Sequence, residues 1–180
     1  MIRCLTVFFV VVLCAEAEAQ ALLIDRESRV SFFSEAPLEN ISAVTQQAAS
    51  VLDTVSYEIA FRVPISSFEF RKKLMREHFN ETYLASDKFP YATFGGKISG
   101  HVDWNSDGAY PVTVSGNLEI HGVRKFYTTE AVVTVKGALI TAAAQFKVKV
   151  ADHGIEIPRL VIKNIAEVVD VDVSATYRIQ

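Results

Sequence analysis

The stretch "VDVDVSATYRI", residues 169–179, limits the fold more than any other part of this chain. Val169, Val171, Val173, Ala175, Tyr177 and Ile179 alternate with Asp170, Asp172, Ser174, Thr176 and Arg178. Successive side chains of a β-strand point to opposite faces, so a period of two means a strand with one buried face and one wet face. The same period recurs upstream. In "VSYEIAFRV", Val55, Tyr57, Ile59, Phe61 and Val63 share a face. In "YPVTVSGNLEI", Tyr110, Val112, Val114, Leu118 and Ile120 do, and in "QFKVKV", Phe146, Val148 and Val150. Less regular strands are expected at Arg29–Ser34, Ala43–Asp53, Tyr91–Ser99, Phe126–Lys136 and Leu139–Ala144.

Turn chemistry separates these segments. "NSDG" at 105–108 reads as a hairpin tip, and "HG" at 121–122, "KG" at 136–137 and "DHG" at 152–154 read as tight turns. The adjacent Gly95 and Gly96 fall inside a strand and suggest a bulge or bend. One segment departs from the period. Phe70, Leu74, Met75, Phe79 and Tyr83 lie on one face of a helix spanning residues 70–84, with Ser66 or Ser67 as its cap. A further irregular or one-turn helical piece is expected at Pro158–Glu167. The fold class is therefore all-β, antiparallel, with about eight or nine strands and one short helical insertion. Alternation alone leaves sandwich and barrel open. The inward faces are apolar and rich in Val and Ala, which favours a cavity. A filled core is the alternative.

At 180 residues the chain has room for one domain with a substantial core. Its hydrophobic content of 50% excludes a disordered chain. A net charge of −3 gives no footprint for nucleic acid, and Arg71, Lys72, Lys73 and Arg76 read as a solvated helix face. The N-terminus has the form of a secretory leader. Arg3 precedes the apolar run "LTVFFVVVL", and the small residues of "CAEAEAQA" follow. Cleavage is expected after Ala19, or alternatively after Ala17, dividing the chain into a leader (1–19) and one domain (20–180). The apolar run is too short to span a bilayer as a helix. Cys14 raises lipid attachment as a rival, against which stands the large Leu13 before it. Both cysteines, Cys4 and Cys14, belong to the leader, so the exported domain is expected to have no disulfide and no thiol.

Motifs for chemistry are missing. There is no G-x-S-x-G elbow, no H-E-x-x-H pair and no glycine-rich phosphate loop. His101 opens a loop, while His121 and His153 fall in turns. His78 lies on the helical segment near Glu81 and Asp87. As a catalyst it would need one of those carboxylates, and otherwise it ties the helix to a neighbouring loop. No metal, cofactor or catalytic residue is assigned.

Residues 61–94 carry a resemblance. "FRVPISSFEFRKKLMREHFNETYLASDKFPYATF" is similar to the signature region of the YceI family through Ile65, Ser67, Phe68, Arg71, Met75, His78, Phe79, Tyr83, Lys88, Phe89, Pro90, Tyr91 and Phe94. "VSGNLEIHGVRK" resembles a second family segment at Gly116, Leu118, Ile120, Gly122, Val123 and Lys125. "FKVKVADHGIEIP" resembles a third at Phe146, Asp152, Gly154, Ile155 and Pro158. Two departures are Glu77 in the acidic position before the histidine and Arg124 where Thr is common. The style of the helix resembles the Bacteroidota-type branch.

The resemblance implies a lipocalin-like, extended antiparallel β-barrel of about eight strands around an apolar channel. It implies a periplasmic or secreted, non-catalytic binder of an isoprenoid or other long-chain lipid, often as a homodimer. Read with the strand parity, it makes Phe32, Ile59, Phe61, Leu118, Phe146, Val148, Val171, Val173 and Tyr177 candidate wall residues. Phe79, Tyr83, Phe89 and Phe94 are candidate mouth residues, with Arg76 and His78 as head-group donors. Two other functions stay open: an enzyme acting on a lipid through His78 and a nearby carboxylate, and a ligand-free structural or stress-response barrel.

Overall fold

A computed structural model describes residues 22–35, 40–156 and 167–179. The expected leader, with Cys4 and Cys14, and the segment 158–166 lie outside the described residues.

The alternating segments become strands. They are β1 (Leu22–Ser34), β2 (Ile41–Asp53), β3 (Glu58–Pro64), the two-residue β4 (Glu69–Phe70), β5 (Tyr91–Ser99), β6 (Gly108–Ile120), β7 (Val123–Lys136), β8 (Leu139–Lys149) and β9 (Val168–Arg178). The sheet runs β1-β9-β8-β7-β6-β5-β3-β2, and pairing of β1 with β2 closes it. All pairings are antiparallel. The result is an eight-stranded barrel, and β4 extends the edge of β2 by pairing at Ala43 and Val44. This settles barrel over sandwich. The segments Leu139–Ala144 and "QFKVKV", read separately in the sequence, are one strand up to Lys149.

One end of the barrel is packed solid. Leu52, Val133, Val135, Ile140 and Tyr177 are fully buried there, with Ile98, Val102 and Val112 among them. Trp104 leans on Tyr57 against this cluster, with ring centroids 5.4 Å apart. The other end is covered by the helical insertion. Helix α1 (Lys73–His78) continues as a wider, π-type turn at Phe79–Tyr83.

Local chemistry explains several departures from expectation. Val55 is exposed and not inward, because a turn precedes β3. The Asp53 carboxylate accepts the Ser56 and Val55 backbone N–H groups, and the Ser56 bond first, then that of Val55, holds it below its usual range. The helix is shorter than residues 70–84, since Phe70 is drawn into β4. Neither serine caps it. The hydroxyl of Ser67 donates instead to the Pro64 carbonyl, and Lys72 occupies the cap position in an extended conformation. The Gly95–Gly96 pair makes no bulge, because the register with β3 and β6 runs through it unbroken. "NSDG" ends a longer β5–β6 connection, where Asp107 accepts the Gly137 N–H of the neighbouring turn. "HG" is the tight turn expected. His121 and Gly122 have φ of 52° and 73°, the left-handed pair that a two-residue hairpin between Ile120 and Val123 needs.

The barrel wall is not uniformly laddered. β7 pairs with β8 only from Ala131↔Ala144 to Lys136↔Leu139. Beyond that point β7 stays paired to β6, and β8 to β9. Side chains close the seam between them. The Thr129 hydroxyl donates to the Gln145 carbonyl at 3.2 Å. His153, on a short helical turn at Val150–His153, is fully buried, with Nδ1 3.0 Å from the Val123 carbonyl and Nε2 3.0 Å from the Tyr127 hydroxyl. "DHG" is thus a turn, as expected, whose histidine is buried against β7.

Candidate functional site

Between the packed end and the helical cover lies an apolar cavity of ≈ 630 Å³. That volume falls in the range of sites for small molecules. Its sides come from inward positions of the strands, including Ile59, Phe61, Leu118, Phe146, Val148, Val171 and Val173, all predicted from parity. Phe32, Phe79, Tyr83 and Phe94 also line it.

The insertion is held over the barrel by rings. Phe79 stacks on Phe32 at 5.4 Å and meets Phe68 and Phe70 at 5.6 and 5.0 Å. Such edge and offset contacts each add to the area that the rings bury. Beside them Ile65, Leu84 and Ile155 form a small buried cluster against Phe79 and Tyr83. The helix therefore docks through the apolar stripe read from its sequence, and Phe79 is its centre.

The opening is marked by exposed residues that also line the cavity. On the helical cover these are Lys72, Leu74 and His78. Leu74 is 60% exposed although it lies on the apolar stripe, so the stripe overhangs the rim. Ser34 and Ile41, flanking the β1–β2 connection, line the cavity as well. Polar groups inside are few. Thr129 and Tyr127 come from β7 along the seam. Burial, and after it the charge of Asp152, raises the Tyr127 phenol above its ordinary range, and burial raises Tyr83. Both phenols stay neutral at physiological pH. The wall can thus hold an apolar body, its flanking hydroxyls already engaged along the seam, with cationic or imidazole donors at the rim.

Three candidates lie elsewhere. Tyr177 is on the inward face, but it is fully buried in the packed end, below the cavity. Phe89 packs edge-on against His121 at 4.6 Å, over Gly122, outside the cavity. Arg76 is exposed on the helix and does not reach the rim. His78 is at the rim, but neither Glu81 nor Asp87 hydrogen-bonds to it, and the adjacent Glu77 is engaged with Lys73 at 3.5 Å. Among the described residues no three His, Cys, Asp or Glu side chains converge as a metal ion would require.

Sequence reasoning passed over Tyr127, Thr129 and Ala131, which alternate correctly within "FYTTEAVVTVK" but are too small or too polar to look like a wall. It also passed over Ala142 and Ala144, and over Lys72, which was read only as surface charge.

Three solved structures share this architecture. A polyisoprenoid-binding domain from Saccharophagus degradans, implicated in plant cell wall breakdown, has a TM-score of 0.73 at 16% identity, covering 89% of this chain and 99% of its own. Burkholderia cenocepacia BcnA has a TM-score of 0.69 at 17% identity, covering 83% and 95%. A Campylobacter jejuni YceI protein has a TM-score of 0.65 at 15% identity, covering 81% and 89%. No curated protein matches the sequence. The family model described as the YceI-like domain matches residues 23–177, from β1 to the end of β9, and the chain belongs to that family.

Proposed function

We propose that this protein is an exported, non-catalytic binding protein that holds an isoprenoid or other long-chain lipid in the barrel. The observation that carries this reading is the apolar cavity of ≈ 630 Å³ between the packed end and the helical cover. A chain taken from water into it gains about 0.8 kcal/mol per CH₂ before ordering costs. Lys72 and His78 stand at the rim, where a polar head group would lie. Polyisoprenoid binding by the Saccharophagus degradans domain supports the same ligand class. The leader-like residues 1–19 support a periplasmic or secreted location. The enzyme reading draws no support from His78, to which no carboxylate among the described residues is hydrogen-bonded.

Mass spectrometry of an organic extract tests the proposal, on protein purified from its native host. A reproducible, near-stoichiometric isoprenoid, quinone or long-chain lipid is expected. An extract without any such molecule, from protein whose native fold is verified, would overturn it.

A further inference from the structure

The cavity stops at an unusual floor. Phe61, Phe94, Val114 and Ala144 line the cavity and also pack on the solid end of the barrel, so they mark its depth. The Phe94 ring does not stand out into the lumen. Its Cζ lies 2.7 Å from where a Cβ on Gly96 would be, and 2.8 Å from where one on Gly116 would be. Gly96 and Gly116 are partners across the β5–β6 ladder and share the inward parity of Phe94. The ring therefore lies flat on a shelf of bare backbone, the close approach that a glycine inside a strand permits. Any side chain at either position would lift the ring and also press on backbone, since the Ser115 and Gly95 carbonyl oxygens lie well inside contact distance of the two added Cβ positions. On β7 and β8 the same depth is lined by methyls only, those of Ala131, Ala142 and Ala144. Two independent sets of the smallest residues thus keep the floor low.

We infer that this floor fixes the longest apolar chain the cavity accepts, with Gly96, Gly116, Ala142 and Ala144 as length-determining residues and Phe94 as the movable stop. The inference rests on the reading of the cavity as a lipid site. With the head group at the rim, the chain end meets the floor. Each methylene that finds room raises affinity about fourfold, and each that does not must bend back or stay in water.

The test uses the mature protein and a prenol series (farnesol, geranylgeraniol and solanesol), with displacement of anilinonaphthalenesulfonate as readout. Ala144→Leu is expected to weaken the longest prenol that the wild type binds by about tenfold and to leave the shortest unchanged. Phe94→Ala, which only removes atoms, is expected to favour the next longer prenol by a similar factor. Thermal melts identify which variants fold, and Phe94→Ala alone suffices if Ala144→Leu does not. An unmoved length preference in a folded variant, or equal weakening at every length, overturns the inference. Wild-type protein that binds neither a prenol nor a long-chain fatty acid overturns the lipid-site reading itself, and the inference with it.

Discussion

Replacing His153 tests how the barrel is held shut where its ladder is missing. The Val123 carbonyl can only accept, so Nδ1 carries the proton that it receives, and in the neutral ring Nε2 accepts from the Tyr127 hydroxyl. The two rings are also stacked, 5.9 Å apart and within 10° of parallel. His153→Phe keeps a ring in the gap but loses both hydrogen bonds, at about 1 kcal/mol each, so about 2 kcal/mol in all. His153→Ala loses the ring as well. A cavity in place of a fully buried side chain brings the cost to about 3–4 kcal/mol. For a domain of this size that lowers Tm by roughly 6–16 °C. Urea unfolding followed by the fluorescence of Trp104, the chain's one tryptophan, measures both values. Tyr127→Phe alone should cost about 1 kcal/mol, and the double variant with His153→Phe should show coupling of similar size. Hydrogen exchange should speed up first at the backbone of residues 123–130, which lack a β8 partner. If His153→Phe matches the wild type within about 0.5 kcal/mol, the bonds across the seam do not hold it and the reasoning fails.

Other substitutions probe the cover, a turn and the packed end. Phe79→Ala removes the ring that meets Phe32, Phe68 and Phe70 and should cost about 3 kcal/mol in urea unfolding, with weaker lipid retention on native purification. Gly122→Ala places a Cβ 2.6 Å from the Phe89 ring at a φ of +73°, so it should destabilise by more than about 1 kcal/mol by the same assay. Tyr177 supplies a pH dependence: burial, eased by nearby Ser50 and reinforced by the charge of Asp25, pushes its phenol up to about 12. Its hydroxyl makes no hydrogen bond of good geometry, and Ser50 beside it is bonded to Ser28. Folding favours the protonated phenol, so this contribution is intact below the unfolded pKa of about 10 and is lost as pH rises through 12, by on the order of 3 kcal/mol. Denaturant titrations across that window should show a shallower decline for Tyr177→Phe, with the remainder from Tyr83 and Tyr127, whose shifts have the same sign.

Parity and position are different kinds of information, and only the first is local. The period of two in residues 169–179 told which side chains face inward, and Val171 and Tyr177 both do. It did not tell how far along the barrel each one sits. That depends on register between distant strands. Val171 pairs with Phe32 on β1 and Phe146 on β8, at the level of the cavity. Tyr177 pairs with Ile140, at the packed end, beyond the point where the β1–β9 ladder stops at Ser174 and the Asp25 carboxylate accepts the Thr176 N–H. A wall read from parity therefore ran into the core at its far end. Closure was equally non-local, since β1 meets β2 along its length, with Leu22 opposite Asp53, and nothing within either strand announces it. The family resemblance supplied the barrel where alternation had left a sandwich open. The helix was legible in its stripe and misread at its ends, because Phe70 gains more as a strand partner of Ala43 than as a first helical turn. His153 was hidden for a related reason. A histidine between Asp152 and Gly154 satisfies the grammar of a turn completely, and its burial follows only from β7 and β8 parting beside it. What the sequence withheld was, in each case, a consequence of which distant strands pair and where that pairing stops.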